Sequence, residues 1–227
     1  MIVDESESSG RWQAITFSAL LILLVMRVVF TGISPLNLYA DEAQYWRWGD
    51  TLEWGYYSKP PMIAWVIHVV TSVFGNAEWA VRLPAAFLHT AGAAFIYFLA
   101  RDMYGARVGM FASLGYALMP AVILSSVVIS TDGVLIPFWC AALWALWRLR
   151  SGQGAWVSAL GLGVAVGLGF LSKYAMLYFA IGIVLVLLID VQSRRALFTW
   201  KGLAALAVAA TILAPHLAWN AANDFKT

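Results

Sequence analysis

Asp41 and Glu42 precede the run Tyr45-Trp46-Arg47-Trp48, so two adjacent carboxylates meet a cluster of interfacial aromatics. Helical spacing predicts a short amphipathic helix here, with Asp41, Tyr45, Trp48 and Leu52 along one face. A carboxylate in a first helical turn is held ionised by the free N–H groups and the dipole, by about 0.3–1 kcal/mol. Two roles are open to the pair: capping the helix, or acting as a base on a lipid-borne substrate. Lys59 precedes Pro60-Pro61, whose fixed φ stiffens the chain and gives the ammonium a defined direction. It either snorkels to headgroups or binds the phosphate of a membrane-resident carrier lipid. Asp132, in Ser130-Thr131-Asp132-Gly133, and Lys173, in Ser172-Lys173-Tyr174, stand at the edges of apolar runs. An ionisable group drawn to the middle of a bilayer costs about 2.5–3.5 kcal/mol, so such a group pairs or serves chemistry. Asp132 also suits a helix cap, and Lys173 a snorkelling role.

The elements that must position these residues follow from composition. The 227-residue chain is 62% hydrophobic and 11% charged, against about 45–50% and about 25% in soluble domains. That excludes a soluble enzyme, a nucleic-acid-binding domain and a disordered tail. A spanning helix needs about 20 mainly apolar residues. The runs at 12–32, 79–100, 108–129, 133–149, 155–171, 175–189 and 203–219 fit that requirement, while 61–74 is too short and is expected to lie in the interface. The expected fold is therefore all-α: a polytopic membrane helix bundle of about seven transmembrane helices, with interfacial helices in a long first external loop.

Charge placement supports this topology, because cytoplasmic loops collect Lys and Arg. With the N-terminus inside, Arg11, Arg101, Arg107, Arg148, Arg150, Arg194, Arg195 and Lys201 fall on the cytoplasmic side. Arg47, Lys59, Arg82, Lys173 and Lys226 fall outside. Asp41, Glu42, Lys59, Asp132 and Lys173 then share one face of the membrane, which unrelated caps would not require. The expected organisation is a cytoplasmic N-terminus at 1–11, a transmembrane domain at 12–219 containing a periplasmic catalytic loop at 33–78, and the start of a second periplasmic segment at 220–227. Asp4, Glu5 and Glu7 before the first apolar run argue for a retained span over a cleaved signal.

Other polar residues read as structural. Arg27 is expected to snorkel outward. His68, His89 and His216 share no metal-ligand spacing, so no metal site is expected from them. Cys140 is the single cysteine and has no partner. Gly105/Gly109 and Gly163/Gly167 have the small-xxx-small spacing of close helix packing. Trp200 and Trp219 flank the last run as interface anchors.

Five segments carry a resemblance when taken in order: Tyr39-Ala-Asp41-Glu42-Ala-Gln-Tyr45-Trp46, Gly55-Tyr-Tyr-Ser-Lys59-Pro60-Pro61, Glu78-Trp-Ala-Val-Arg82-Leu-Pro84, Ser130-Thr131-Asp132 and Gly169-Phe-Leu-Ser-Lys173. From Asn37 onward the chain resembles bacterial GT-C glycosyltransferases. It is most similar to the protein O-mannosyltransferase-like group that includes the lipid A aminoarabinose and galacturonic acid transferases. Those enzymes are about twice as long, so the chain looks like an N-terminal half.

The resemblance implies inverting sugar transfer from an undecaprenyl-phosphate type donor to a glycolipid or protein acceptor, at the periplasmic face of the bacterial inner membrane. Membrane lipid is then a partner and nucleic acid is not. It implies Asp41 as the residue that orients or deprotonates the acceptor, with Glu42 or Asp132 shaping the site. Lys59, helped by Lys173 or Arg82, would bind and stabilise the donor phosphate. A divalent cation is left open, and Ser58 stands where the aminoarabinose transferases resemble one another in having an acid, which argues against carrying a metal site over. The rival expectations are a polytopic transporter or flippase for a lipid-linked substrate, marked by mid-span charges and repeated halves, and a non-catalytic membrane fragment.

Overall fold

The computed structural model describes residues 5–227, with side chains described from Ser8 onward. The beginning of the expected N-terminal segment, including Asp4, lies outside the described residues. The chain is helical almost throughout: α1 (Glu5–Ile33), α2 (Ala40–Trp48), α3 (Met62–Phe74), α4 (Glu78–Tyr104), α5 (Ala106–Ala117), α6 (Pro120–Ser125), α7 (Thr131–Arg150), α8 (Ala155–Ser172), α9 (Met176–Ile189), α10 (Val191–Leu197) and α11 (Trp200–Ala222). Pairing between extended segments is limited, among the described residues, to one bridge between Tyr56 and Lys59.

Helices α1, α4, α7, α8 and α11 are long and apolar enough to cross a membrane, and α9 with α10 adds a sixth if the bent pair is counted as one span. The expected count of seven full spans is therefore not met. The run at 108–129 is interrupted because Pro120 has no N–H to give and forces Met119 into an extended conformation, with φ −60° and ψ 133°. The run at 175–189 forms α9, whose 14 residues rise only about 21 Å before the chain bends by 117° into α10. Helix α3, at 13 residues, is as short as the sequence indicates.

Two ion pairs mark the ends of the bundle. Lys173 meets Asp132 at 2.7 Å where α8 ends and α7 begins, and Arg150 meets Asp190 at 2.8 Å where α7 ends and α9 gives way to α10. The backbones of α8 and α11 approach closely because Gly163 and Gly167 face Ala205 and Ile212, and a Cβ at either glycine would collide with them. One apolar cluster, including Ala142, Ala159, Leu162 and Met176, joins α7, α8 and α9. A second, including Tyr45, Ile63, Ile67, Val81, Ile129 and Leu171, seats α2 and α3 on the bundle.

Arg27 does not snorkel. It is 6% exposed and donates to the Ala117 carbonyl oxygen at 2.9 Å and to the Thr90 hydroxyl at 3.2 Å. The break before Pro120 leaves the last carbonyls of α5 without helical donors, and Arg27 supplies one.

Candidate functional site

Helix α2 begins at Ala40 because Glu42, its third residue, reaches back to accept the Tyr39 backbone N–H at 3.0 Å. The same carboxylate, 1% exposed, takes the Arg82 guanidinium at 2.7 Å and accepts the Ile129 N–H at 3.0 Å. Arg82, 3% exposed, also donates to the carbonyls of Leu36 and Asn37, each at 2.8 Å. Glu42 and Arg82 are thus enclosed and fully engaged with one another and the backbone. Together they join α2, α4, the 36–37 turn and the chain leading into Ser130-Thr131-Asp132. The capping role open to the acidic pair belongs to Glu42.

Asp41, the neighbouring carboxylate, is exposed and has no hydrogen bond or ion pair among the described residues. One helical turn on, Tyr45 is 5% exposed, and its hydroxyl makes no hydrogen bond among the described residues. Burial above all, then the Asp41 and Asp132 carboxylates, push the Tyr45 phenol above its ordinary value. Tyr45 therefore lies within the electrostatic reach of both acids and connects two segments about 90 residues apart. In the sequence Tyr45 stood on the Asp41 face of α2 among interfacial aromatics, with nothing to mark its approach to Asp132.

That face continues towards Lys59. The rings of Tyr45 and Trp48 are 5.5 Å apart, and Trp48 stacks on Tyr56 at 5.1 Å with planes 9° apart. Leu52, expected on this face, lies beyond the helix, which stops at Gly49. Tyr56 and Lys59 exchange backbone hydrogen bonds across a tight turn, with Ser58 at φ 71°. Pro60 and Pro61 lead from it into α3. The Lys59 side chain is half-buried, and its ammonium has no hydrogen-bonding partner among the described residues. Asp132 and Lys173 neutralise each other, the ammonium lying 2.7 Å from both carboxylate oxygens. They remain 64% and 33% exposed.

The C-terminal end of α11 fixes the loop from behind. Trp219 packs on Gly55 and donates to Glu53 at 3.0 Å, rather than anchoring freely in an interface. His216 bridges the Trp54 carbonyl and the Tyr174 hydroxyl. His89 bonds Tyr116 and Ser125, and His68 meets the Gly49 carbonyl at 2.7 Å, so each histidine has a structural partner. Among the described residues no group of three or more His, Cys, Asp or Glu gathers in a way that could hold a metal ion. Asp132 is engaged by Lys173 and Ser58 offers no carboxylate, so these residues do not form a fitting cation site.

These features define a polytopic helical membrane protein in which an acid and an ammonium, both unpaired among the described residues, are joined by an aromatic face at one end of the bundle. The chain belongs to the dolichyl-phosphate-mannose-protein mannosyltransferase family, which it matches over residues 58–219. It is 39% identical over 214 residues to the lipid A galacturonosyltransferase RgtD of Rhizobium johnstonii, covering 92% of this chain and 45% of the relative. It is 29% identical over 207 residues to an undecaprenyl phosphate-alpha-4-amino-4-deoxy-L-arabinose arabinosyl transferase of Proteus mirabilis, covering 78% of this chain and 35% of that one. The apo crystal structure of ArnT from Cupriavidus metallidurans has the same fold, with a TM-score of 0.78 at 20% identity over 96% of this chain and 43% of ArnT. The chain spans less than half the length of each of these relatives.

Proposed function

We propose that this chain carries the membrane-embedded site of a glycosyltransferase, which moves a sugar from a polyprenyl-phosphate donor to lipid A or a related envelope glycolipid at the periplasmic face of the inner membrane. The observation that carries this reading is that Asp41 and Lys59 are unpaired among the described residues, while Glu42, Arg82, Asp132 and Lys173 are paired. The ordinary fate of a charge beside hydrocarbon is to find a partner within the protein. An acid and an ammonium left open are available to a substrate.

In this mechanism the Asp41 carboxylate accepts the proton of an acceptor hydroxyl as its oxygen attacks the anomeric carbon of the donor sugar. The bond from that carbon to the phosphate oxygen breaks, and the electron pair leaves with the polyprenyl phosphate. Lys59 stabilises the charge gathering on that phosphate. A single displacement inverts the anomeric centre. If the acceptor is itself a phosphate, Asp41 positions it instead of deprotonating it. Glu42 and Arg82 act by holding α2 against the Asp132 segment. The name of the Rhizobium relative makes a galacturonosyl donor with lipid A the first combination to test.

The test is sugar transfer in proteoliposomes, read as the mass gain of the acceptor. Asp41→Asn is expected to lower transfer by about 10²–10⁴-fold, the range for a positioned base, with membrane insertion unchanged. Transfer by Asp41→Asn at the parent rate overturns the assignment.

A further inference from the structure

At the end of the bundle opposite Asp41, the arginines divide into partnered and unpartnered. Arg101 meets Asp102 at 2.8 Å, Arg150 meets Asp190 at 2.8 Å, and Arg194 donates to the carbonyls of Leu187 and Leu188. The Arg148 side chain has no hydrogen-bond acceptor or carboxylate among the described residues. Its Nε–H is buried and unsatisfied, and its guanidinium lies over Trp144 at 5.2 Å from the ring centre. A buried donor without an acceptor is rare in folded proteins and calls for a missing group.

Arg148 stands at the end of an apolar groove of about 410 Å³ between α4, α7 and α8, lined by Phe95, Trp144, Val157, Gly161 and Leu168 among others. Along α7 the groove runs from Pro137 to Arg148, a rise of about 16 Å at about 1.5 Å per residue. That is close to half of the about 30 Å hydrocarbon thickness, the depth of one leaflet. A cation at the mouth and an apolar channel one leaflet long are complementary to a molecule with an anionic head and a single-leaflet chain. A prenyl donor bound at Lys59 places its phosphate at the other end of the bundle and does not meet this description.

We propose that this groove is a binding site for an anionic phospholipid, with one acyl chain lying between α4, α7 and α8 and the phosphate accepting hydrogen bonds from the Arg148 guanidinium. The inference is independent of the transfer chemistry, since it uses none of the residues at the Asp41 end.

The test is native mass spectrometry of the purified chain offered equal amounts of phosphatidylglycerol and phosphatidylcholine. Both lipids offer a phosphate, but the choline cation of phosphatidylcholine repels the guanidinium, so the parent chain is expected to retain phosphatidylglycerol by about tenfold over phosphatidylcholine, about 1.4 kcal/mol. Arg148→Gln should erase the preference. A Cβ at Gly161 meets nothing within 4 Å, so Gly161→Leu should fold, fill the groove and lower retention of both lipids. Arg195→Gln, which removes an exposed charge at the same end, should leave the preference intact. Equal retention of the two lipids by the parent, an unchanged preference in Arg148→Gln, undiminished retention in Gly161→Leu, or an equal loss of preference in Arg195→Gln each overturns the proposal.

Discussion

The Glu42 carboxylate accepts the backbone N–H of Ile129 at 3.0 Å, across 87 positions of sequence, while paired to Arg82 at 2.7 Å. Through this contact the helix bearing Asp41 is registered against the segment bearing Asp132. Glu42 thus acts on the neighbouring acids by fixing where they stand.

Glu42→Ala is expected to destabilise the chain strongly, because it strands a buried guanidinium as well as the Ile129 N–H. Breaking one side of a buried ion pair costs about 3–5 kcal/mol. Unfolding in detergent measures this, and pairing Glu42→Ala with Arg82→Leu in a double-mutant cycle should show a double variant less damaged than the sum of the singles. Additive losses would mean that the pair contributes no coupling.

Lys59→Ala should weaken the donor. An ammonium–phosphate hydrogen bond is worth about 1.5–3 kcal/mol, so KM for a polyprenyl-phosphate sugar is expected to rise by about 10- to 100-fold. Lys59→Arg should retain part of the affinity. Unchanged KM in Lys59→Ala would remove Lys59 from the donor site.

The Tyr45 phenol gives a pH signature. Burial and the Asp41 and Asp132 carboxylates disfavour tyrosinate, so its pKa lies above the ordinary value of 10.0. The stability tied to the neutral phenol is complete below pH 10 and is lost as pH rises through the raised value. Spectroscopic titration, with Tyr45→Phe as the blank, should show that late ionisation. In Asp41→Asn the midpoint should move down, because one repelling charge is gone. A midpoint indifferent to Asp41 would show that the two groups do not interact.

Arg27→Met should loosen the break between α5 and α6. The Ala117 carbonyl loses its guanidinium donor, and an unsatisfied buried acceptor costs about 1–3 kcal/mol. Hydrogen exchange should quicken around 118–123 and stay unchanged in α8. Uniform exchange along both regions would deny Arg27 a local role.

Local chemistry made much of this protein legible in its residues. The apolar runs set most of the helices, since lipid leaves no alternative for a backbone without water. The acidic pair at the start of α2 indicated a cap without showing which of the two would make it, and Pro60-Pro61 foretold the start of α3. The small-xxx-small spacing marked α8 for a close helix contact, and the structure shows α11 as the partner. Pro120 was equally visible, but one uninterrupted apolar run was expected there, and the breaker prevailed because its missing N–H cannot be replaced within the helix.

Tertiary structure alone decided which charges would be used up and which left open. Asp41 and Glu42 are adjacent in sequence, yet successive helical residues point about 100° apart, so seating α2 on α3, within reach of Arg82 from α4, buried one and exposed the other. Arg82 lies 40 positions from Glu42 and Lys173 lies 41 from Asp132. Nothing local encodes those pairings, because an ion pair depends on where packed helices bring their side chains. The amino-acid sequence supplied the acids and cations together with the membrane that makes unpaired charge expensive. The packing of α2, α3, α4, α7 and α8 left Asp41 and Lys59 without partners among the described residues.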